Sequence, residues 1–309
     1  MKRLEYTRYG GHELVRMSEF SLPELKANEV LIRVAAASIN PMDWKIRSGK
    51  MKLFTGNKFP RALGTDFAGT VESVGVNVDD FTPGDDVVGT VPMKGSGAFA
   101  PMLITSKNLI VKKPENLSFT EAATLPIAGV TAWHALIKKA RLKPGQTIFL
   151  NGALGAVGQA AIAIAQSIGA EITARVGPHS LEQAQSLGIN VVLDYTKPVP
   201  SSLDSGFDLV FDCNGSLSTQ DAARLMKRGG MIIDIAPTRA KFFKACLSRA
   251  NKLVFADPKA EYLQEVIALA AAGKLAIHIA QSISLAEAPE ALALLERGER
   301  RNGKTVIVF

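Results

Sequence analysis

Over the first third of the chain, apolar and polar positions alternate in short runs. Glu29-Val30-Leu31-Ile32-Arg33-Val34 reads as a strand with one buried face, and the segment from Gly64 to Gly75 alternates with glycine punctuation. Pro83-Gly84-Asp85-Asp86 is a turn that leads into Val87-Val88-Gly89. Many short strands broken by Gly and Pro predict a barrel-like β domain. The pattern changes after Pro114. Ser118-Phe119-Thr120-Glu121 is a capping box for a helix beginning Ala122-Ala123-Thr124-Leu125, and a second helix runs from Pro126 through Trp133 to Lys139. From Thr147 onward, apolar runs at 147–150, 171–176, 190–193, 208–212, 230–235 and 252–256 alternate with helical segments. Such βα alternation predicts a doubly wound parallel sheet. A helix from Lys259 to Ala272 follows, and Ser284 with Glu287 forms a capping box for a helix that stops at Gly298. The chain closes on the strand Thr305-Val306-Ile307-Val308-Phe309. This strand does not extend the βα series, so it can return to the first domain and make that domain discontinuous.

The stretch from Asn151 to Gly158 has the form Ala-x-Gly-x-x-Gly, with Ala153 where a first glycine usually stands. It follows the apolar run Thr147-Ile148-Phe149-Leu150 and opens a helix rich in Ala and Ile. Strand, glycine turn and helix in that order offer main-chain N–H groups at Leu154, Gly155, Ala156 and Val157 to the pyrophosphate of a dinucleotide. The alternative is an ordinary tight turn. The end of the second strand bears on which dinucleotide. Thr173-Ala174-Arg175-Val176-Gly177-Pro178-His179-Ser180 contains no acid to bond an adenosine ribose, and Glu171 sits at the wrong end of the strand. Arg175 offers a fork of donors to a 2′-phosphate, assisted by Ser180 and His179, which favours NADPH. Further contacts are expected where strands end, at Asn214 after the fourth and at Pro237 after the fifth.

A length of 309 residues makes two domains the default. Apolar residues at 47% and charged residues at 21% describe a soluble globular protein. No run approaches the ~18 apolar residues of a membrane span. Met1-Lys2-Arg3-Leu4-Glu5-Tyr6 is not followed by an apolar signal core, and Cys213 and Cys246 form no metal-type pair, so a reduced, cytoplasmic protein is expected. The net charge of +7 is scattered. Its densest cluster, Arg297, Arg300, Arg301 and Lys304, has acidic neighbours, and no basic stripe carries interleaved aromatics, which disfavours nucleic acid as a partner.

Several further markers occur in order: Ser38 to Gly49, Gly64 to Gly69, Phe81 to Asp85, Ala128 to Trp133, Asn151 to Gly158, Leu187-Gly188 with Asp194-Tyr195, Gly206-Phe207-Asp208, and Gly303-Lys304. Together they resemble the medium-chain dehydrogenase/reductase superfamily, in its zinc-independent quinone oxidoreductase branch, over nearly the full length. The resemblance implies a Rossmann doubly wound parallel sheet over 124–258 that binds NADPH. It also implies a discontinuous GroES-like β-barrel domain over 1–123 and 259–309 that carries the reaction site. Positions that hold catalytic zinc in the alcohol-dehydrogenase relatives correspond here to Asn40, Thr65 and Gly129-Val130-Thr131. None offers a thiolate or imidazole, so no metal site is expected. The reaction implied is hydride transfer to a quinone or to a carbon–carbon double bond conjugated to a carbonyl (an enal or enone).

On this resemblance Asn40 bonds the nicotinamide ribose or the acceptor oxygen. Lys45, where relatives often have Tyr, polarises that oxygen, and Thr65 lines the site. Thr131, Tyr195 and Lys304 match cofactor-contacting positions. Asp43 is read as a helix cap and Trp44 as core. Alternatives stay open: Asn40 as a turn former and Lys45 and Lys304 as surface lysines. Relatives commonly pair the last Rossmann strand across a two-fold axis, which implies a homodimer. Rival functions are an enoyl-type reductase acting on a carrier-bound substrate and a non-catalytic NADPH- or RNA-binding member of the fold.

Overall fold

The alternating runs of the N-terminal third are strands in the computed structural model, which describes residues 1–94, 97–189, 191–236, 238, 241, 245, 247–248, 250–254, 257–299 and 303–309. In chain order they are β1 (Lys2–Tyr6), β2 (Arg16–Glu19), β3 (Glu29–Ser38), β4 (Arg61–Ala62), β5 (Asp66–Val74), β6 (Asp86–Thr90), β7 (Met102–Ser106) and β8 (Ile110–Lys112). The helices among and after them are α1 (Pro41–Arg47), α2 (Lys52–Thr55), α3 (Phe119–Ala123) and α4 (Pro126–Trp133), the last continued by a π-helical segment His134–Lys139. The βα series then gives β9 (Thr147–Asn151), α5 (Ala156–Ile168), β10 (Glu171–Val176), α6 (Leu181–Ser186), β11 (Val191–Asp194), β12 (Phe207–Asp212), α7 (Thr219–Leu225), β13 (Met226–Asp234) and β14 (Asn251–Leu253). The chain ends with α8 (Ala260–Ala271), β15 (Ile279–Ser284), α9 (Ala288–Glu296) and β16 (Lys304–Val308).

Two units result. The first comprises Met1–Ile127, Pro258–Ala272 and Ile277–Phe309, and the second Ala128–Asp257 with Gly273–Ala276. In the first, a seven-stranded sheet runs β15-β16-β3-β5-β6-β8, and β7 also pairs with β3. The length of β3 makes this possible. One of its edges pairs with β5, while the other is shared between β7 (Glu29 to Arg33) and β16 (Ala36 to Ser38). The C-terminal strand therefore belongs to the first unit, and its Val306 and Ile307 are buried there. A small antiparallel sheet, β2-β1-β4, lies in the same unit. Leu4, Ile32, Phe67, Phe99 and Leu103 are part of its core.

The second unit holds a six-stranded, all-parallel sheet in the order β11-β10-β9-β12-β13-β14. Its first strand is central, and the connections reverse direction between β9 and β12. That order opens a crevice at the carboxyl ends of those two strands. Phe149, Phe207, Val210 and Leu225 pack on one another beneath it.

Two local expectations change. β13 starts at Met226 rather than at 230, because Lys227 to Gly230 form a bulge against β12, with Gly229 at φ +82°. Ser284 and Glu287 do bond, but not as a cap. The Glu287 carboxylate accepts from Ser284 N at 2.8 Å and Oγ at 2.7 Å in a turn before the helix, and Glu287 itself is the N-cap of α9. Ser118 and Glu121, in contrast, form the expected capping box at α3.

Candidate active site

The glycine turn of the second unit is set by its neighbours. β9 ends at the buried Asn151, and the left-handed residue that follows is Gly152, at φ +77°. Ala153 therefore needs no positive φ, which explains why alanine is tolerated where a first glycine usually stands. Gly152 N and Ala153 N both donate to the carbonyl of Arg175, at 3.0 and 3.4 Å, tying the turn to β10. Gly155 is the N-cap of α5 and brings no side chain to its first turn. The N–H groups of Ala156, Val157 and Gly158 have no acceptor inside the helix and face outward for an anion. Gly155 itself donates to Gly152 O at 3.1 Å, so its part is steric, leaving the backbone open. A Cβ on Gly158 would fall on the carbonyl oxygen of Ala153, so glycine there permits close helix–strand packing.

Beyond the turn, Arg175 sits at the carboxyl end of β10. Its Nη2 donates to Tyr195 O at 2.9 Å and Lys197 O at 3.3 Å, its Nη1 to Asn151 Oδ1 at 3.4 Å, and its Nε has no hydrogen-bond partner among the described residues. The Tyr195 ring lies across Gly177, where a Cβ would meet it at 3.1 Å. Ser180 begins α6 nearby in the chain. Asn214 lies over Gly152 and accepts from Asn151 Nδ2 at 2.9 Å. Thr131 is buried on α4. Pro237 lies outside the described residues.

The strand ends also carry a cluster that sequence reasoning did not find. Lys241 Nζ donates to Asp212 at 2.6 Å, Asp234 at 2.7 Å and Gly215 O at 3.1 Å. Burial disfavours its charge, but the two carboxylate bonds outweigh that and hold its pKa above the ordinary value. Asp212 also accepts from Asn151, Gly215 N and Leu217 N. Cys213, next to Asp212 in the chain, is half-buried, and desolvation with the charges of Asp212 and Asp234 pushes its thiol up.

In the first unit, the loop after β3 and the start of β5 converge with β16 on one buried network. Asn40 N donates to Asp43 Oδ2 at 2.7 Å, so Asp43 caps α1 as expected. Asp43 Oδ1 also accepts from Thr65 Oγ1 at 2.7 Å. The Asn40 amide donates to Asp66 at 3.0 Å and to Ser38 O at 3.2 Å, and its oxygen accepts from Lys304 at 2.8 Å. Lys304 Nζ further meets Thr124 O at 3.3 Å and Asp66 at 3.5 Å. Its three N–H groups thus have protein partners, and it is an internal lysine rather than a surface or phosphate-directed one. Burial pushes Asp43 up to about 7, helped by the charge of Asp66 and opposed by Thr65, Asn40 N–H and Lys304. Asp66 is pushed up to about 6 by burial against the pull of Lys304. Lys304 is held below its ordinary value because burial outweighs the attraction of Asp66 and Asp43.

A small cleft, open to solvent, adjoins this network and is lined by residues that include Tyr6, Asp43, Ile46, Arg61, Thr65 and Val91. Asp43 and Ile46 share one face of α1, as their spacing requires. Lys45 lies between them in sequence, is half-buried, and is not among the residues that line this cleft. Of the expected residues, Asn40, Thr65 and Lys304 gather here, together with Asp43. Asp66, Tyr6 and Arg61 were missed. Asp66 lies within the Gly64 to Gly69 marker, which was the one signal available. Among the described residues, no group of three His, Cys, Asp or Glu side chains is arranged to hold a metal.

The chain matches the family models described as alcohol dehydrogenase GroES-like domain, over residues 26–115, and zinc-binding dehydrogenase, over residues 187–307. It is 34% identical to the chloroplast envelope quinone oxidoreductase homolog of Arabidopsis thaliana, covering 95% of this chain and 94% of that protein. It is 35% identical to the chloroplastic NADPH-dependent alkenal/one oxidoreductase of the same plant, over 75% of this chain and 62% of that protein. Among solved structures, the quinone oxidoreductase from Coxiella burnetii superposes with a TM-score of 0.90 at 29% identity, covering 100% of this chain and 99% of that one.

Proposed function

The chain belongs to the medium-chain dehydrogenase/reductase superfamily, in its quinone oxidoreductase branch, and from that premise we propose that it transfers hydride from NADPH to a quinone or an α,β-unsaturated carbonyl. The observation that carries this reading is the Thr65–Asp43 pair on the wall of a cleft, in a chain that also has an uncapped strand–glycine turn–helix cradle.

NADPH, when bound, supplies the hydride. The N–H groups of Leu154, Ala156 and Val157 receive its pyrophosphate, with Gly155 keeping the approach open. Arg175, through its uncommitted Nε and remaining Nη1 hydrogen, takes the 2′-phosphate with Ser180 and Tyr195. Asn214 and Thr131 complete the contacts of the second unit.

Hydride addition leaves negative charge on the acceptor oxygen, and one proton completes the reduction. Asp43, pushed up to about 7, retains its proton in a substantial fraction of molecules near neutrality. A protonated Asp43 donates to Thr65 Oγ1, and Thr65 turns its own hydrogen to the acceptor. The proton leaves Asp43 through Thr65, and solvent replaces it. Asn40 holds Asp43 through its N–H, while Lys304 and Asp66 hold the Asn40 amide.

An anaerobic panel of quinones, enals and enones, each with NADPH and with NADH, tests this. Turnover with NADPH in preference to NADH is expected. No turnover with any acceptor, together with no saturable uptake of either coenzyme by calorimetry, overturns it. A homodimer belongs to the same reading, because among the described residues β14 pairs only with β13, and an unpaired edge invites a second copy; light scattering decides. A cytoplasmic location is part of it too, and fractionation decides that. No described helix is long and apolar enough to cross a membrane.

A further inference from the structure

The short helix α2 presents two adjacent large apolar side chains to water: Leu53 is 91% exposed and Phe54 60%. Met93, 43% exposed, belongs to the same surface. The Arg61 guanidinium ties the two segments together, donating to Thr55 O at 2.7 Å, Gly56 O at 3.2 Å and Met93 O at 3.1 Å. Thr55 is buried, and the Tyr9 hydroxyl bonds both its Oγ1 and Gly56 O. The turn is thus fixed on its inner side, while Leu53 and Phe54 stand on its outer side. Lys50, Lys52, Lys58 and Lys94 are exposed in the same two segments. Residues 44–65 and 87–114 contain no Asp or Glu. Exposed apolar residues scattered singly are ordinary, but adjacent ones accompanied by charge of a single sign mark a contact surface.

We propose that this patch docks the protein on the surface of an anionic lipid bilayer, without crossing it. The four lysines meet the headgroup phosphates, and Leu53, Phe54 and Met93 enter the boundary between headgroups and acyl chains. A nucleic acid would answer the lysines but not Leu53, because an aliphatic side chain offers a base no face to stack on. A bilayer answers both. Arg61 and Met93 also line the cleft of the first unit, so docking here holds that cleft beside the lipid. The inference stands apart from the reductase reading, since neither coenzyme nor acceptor enters it.

Flotation of the full chain with vesicles tests it, using phosphatidylcholine alone and phosphatidylcholine with about 30% phosphatidylglycerol to supply the anionic surface. Wild type is expected to float with the anionic vesicles and far less with the neutral ones, and added salt weakens it. Lys52→Gln with Lys58→Gln lowers partitioning roughly 10- to 30-fold, because each lysine near such a surface contributes about fivefold. Leu53→Ser with Phe54→Ser lowers it about tenfold or more, from the apolar area no longer buried. Thermal midpoints stay unchanged, because all four side chains are exposed. Absence of flotation with anionic vesicles overturns the proposal. So does flotation of either double variant equal to that of wild type, which places the binding elsewhere or makes it charge alone. A smaller mass by light scattering for the double serine variant than for wild type also overturns it, because a second copy of the chain then covers the patch.

Discussion

In each unit a lysine meets carboxylates, Lys241 largely covered and Lys304 buried, and their pKa values are shifted in opposite directions. Lys241 sits between Asp212 and Asp234 at 2.6 and 2.7 Å. Lys304 has one carboxylate at 3.5 Å and otherwise the neutral oxygens of Asn40 and Thr124. Two short charge-assisted bonds outweigh burial at Lys241, and one longer contact does not at Lys304. The carboxylates differ as well. Among the described residues, Asp212 draws on the backbone N–H groups of Gly215 and Leu217 and on the Asn151 amide, whereas Asp66 draws on one backbone N–H, that of Ile127, and on the Asn40 amide. The second unit's cluster is an ion triad that ties strand ends together, with Asp234 raised by burial against the pull of Lys241, and in the first unit burial brings Asp43 and Asp66 up to about 7 and about 6, where they can exchange protons.

The largest expected effect tests that contrast directly. Removing a cation from a buried pair costs about 3–5 kcal/mol. Lys241→Met should show that loss in urea unfolding at neutral pH. Lys304→Met should lose less, and less still as pH falls through about 6, because Asp66 takes up a proton there. Equal losses in the two variants at neutral pH break the comparison.

The pH dependence comes next. Asp43 and Asp66 bind protons more tightly folded than unfolded, with folded values of about 7 and about 6 against 3.8. Their contribution to stability is complete below 3.8 and is lost as pH rises through about 6 and about 7. Carboxylates held low, such as Asp85 and Glu121, act in the opposite sense only in more acid solution. At about 1.4 kcal/mol per pKa unit, the fall amounts to a few kcal/mol. Asp43→Asn should flatten the part nearest neutrality, measured by denaturant titration across that range, and a slope unchanged by the substitution removes Asp43 as its source.

Thr65→Val sharpens the proton-exchange half of the contrast. Turnover should fall roughly 10²-fold, the lower end for losing a positioned proton donor, with NADPH affinity unchanged and activity largely restored in Thr65→Ser. Steady-state kinetics with each variant provide the check. The smallest effect concerns the second unit. Arg175→Ala should raise KM for NADPH about tenfold while sparing NADH, and equal effects on both coenzymes take Arg175 away from the phosphate.

Much of the architecture was legible because it is periodic. Period-two alternation marked β3 and β5, βα alternation marked the parallel sheet, and the Asn151 to Gly158 stretch marked the turn into α5. β13 was read short because the bulge at Gly229 interrupts its period. The candidate site was legible only where a motif carried it, at Asn40, Asp43 and Thr65. Lys45, next to them in sequence, is not among the residues lining the cleft.

By itself, then, the sequence determined the element types, the strand–turn–helix cradle and the absence of an acid at the end of β10, since these depend on neighbours in the chain. Tertiary structure alone decided that Lys304 meets Asn40 and Asp66 and that Lys241 bridges two strand ends. Those outcomes depend on which distant segments a sheet places side by side. They also depend on how far water is excluded there, and that sets both hydrogen-bond supply and the cost of charge.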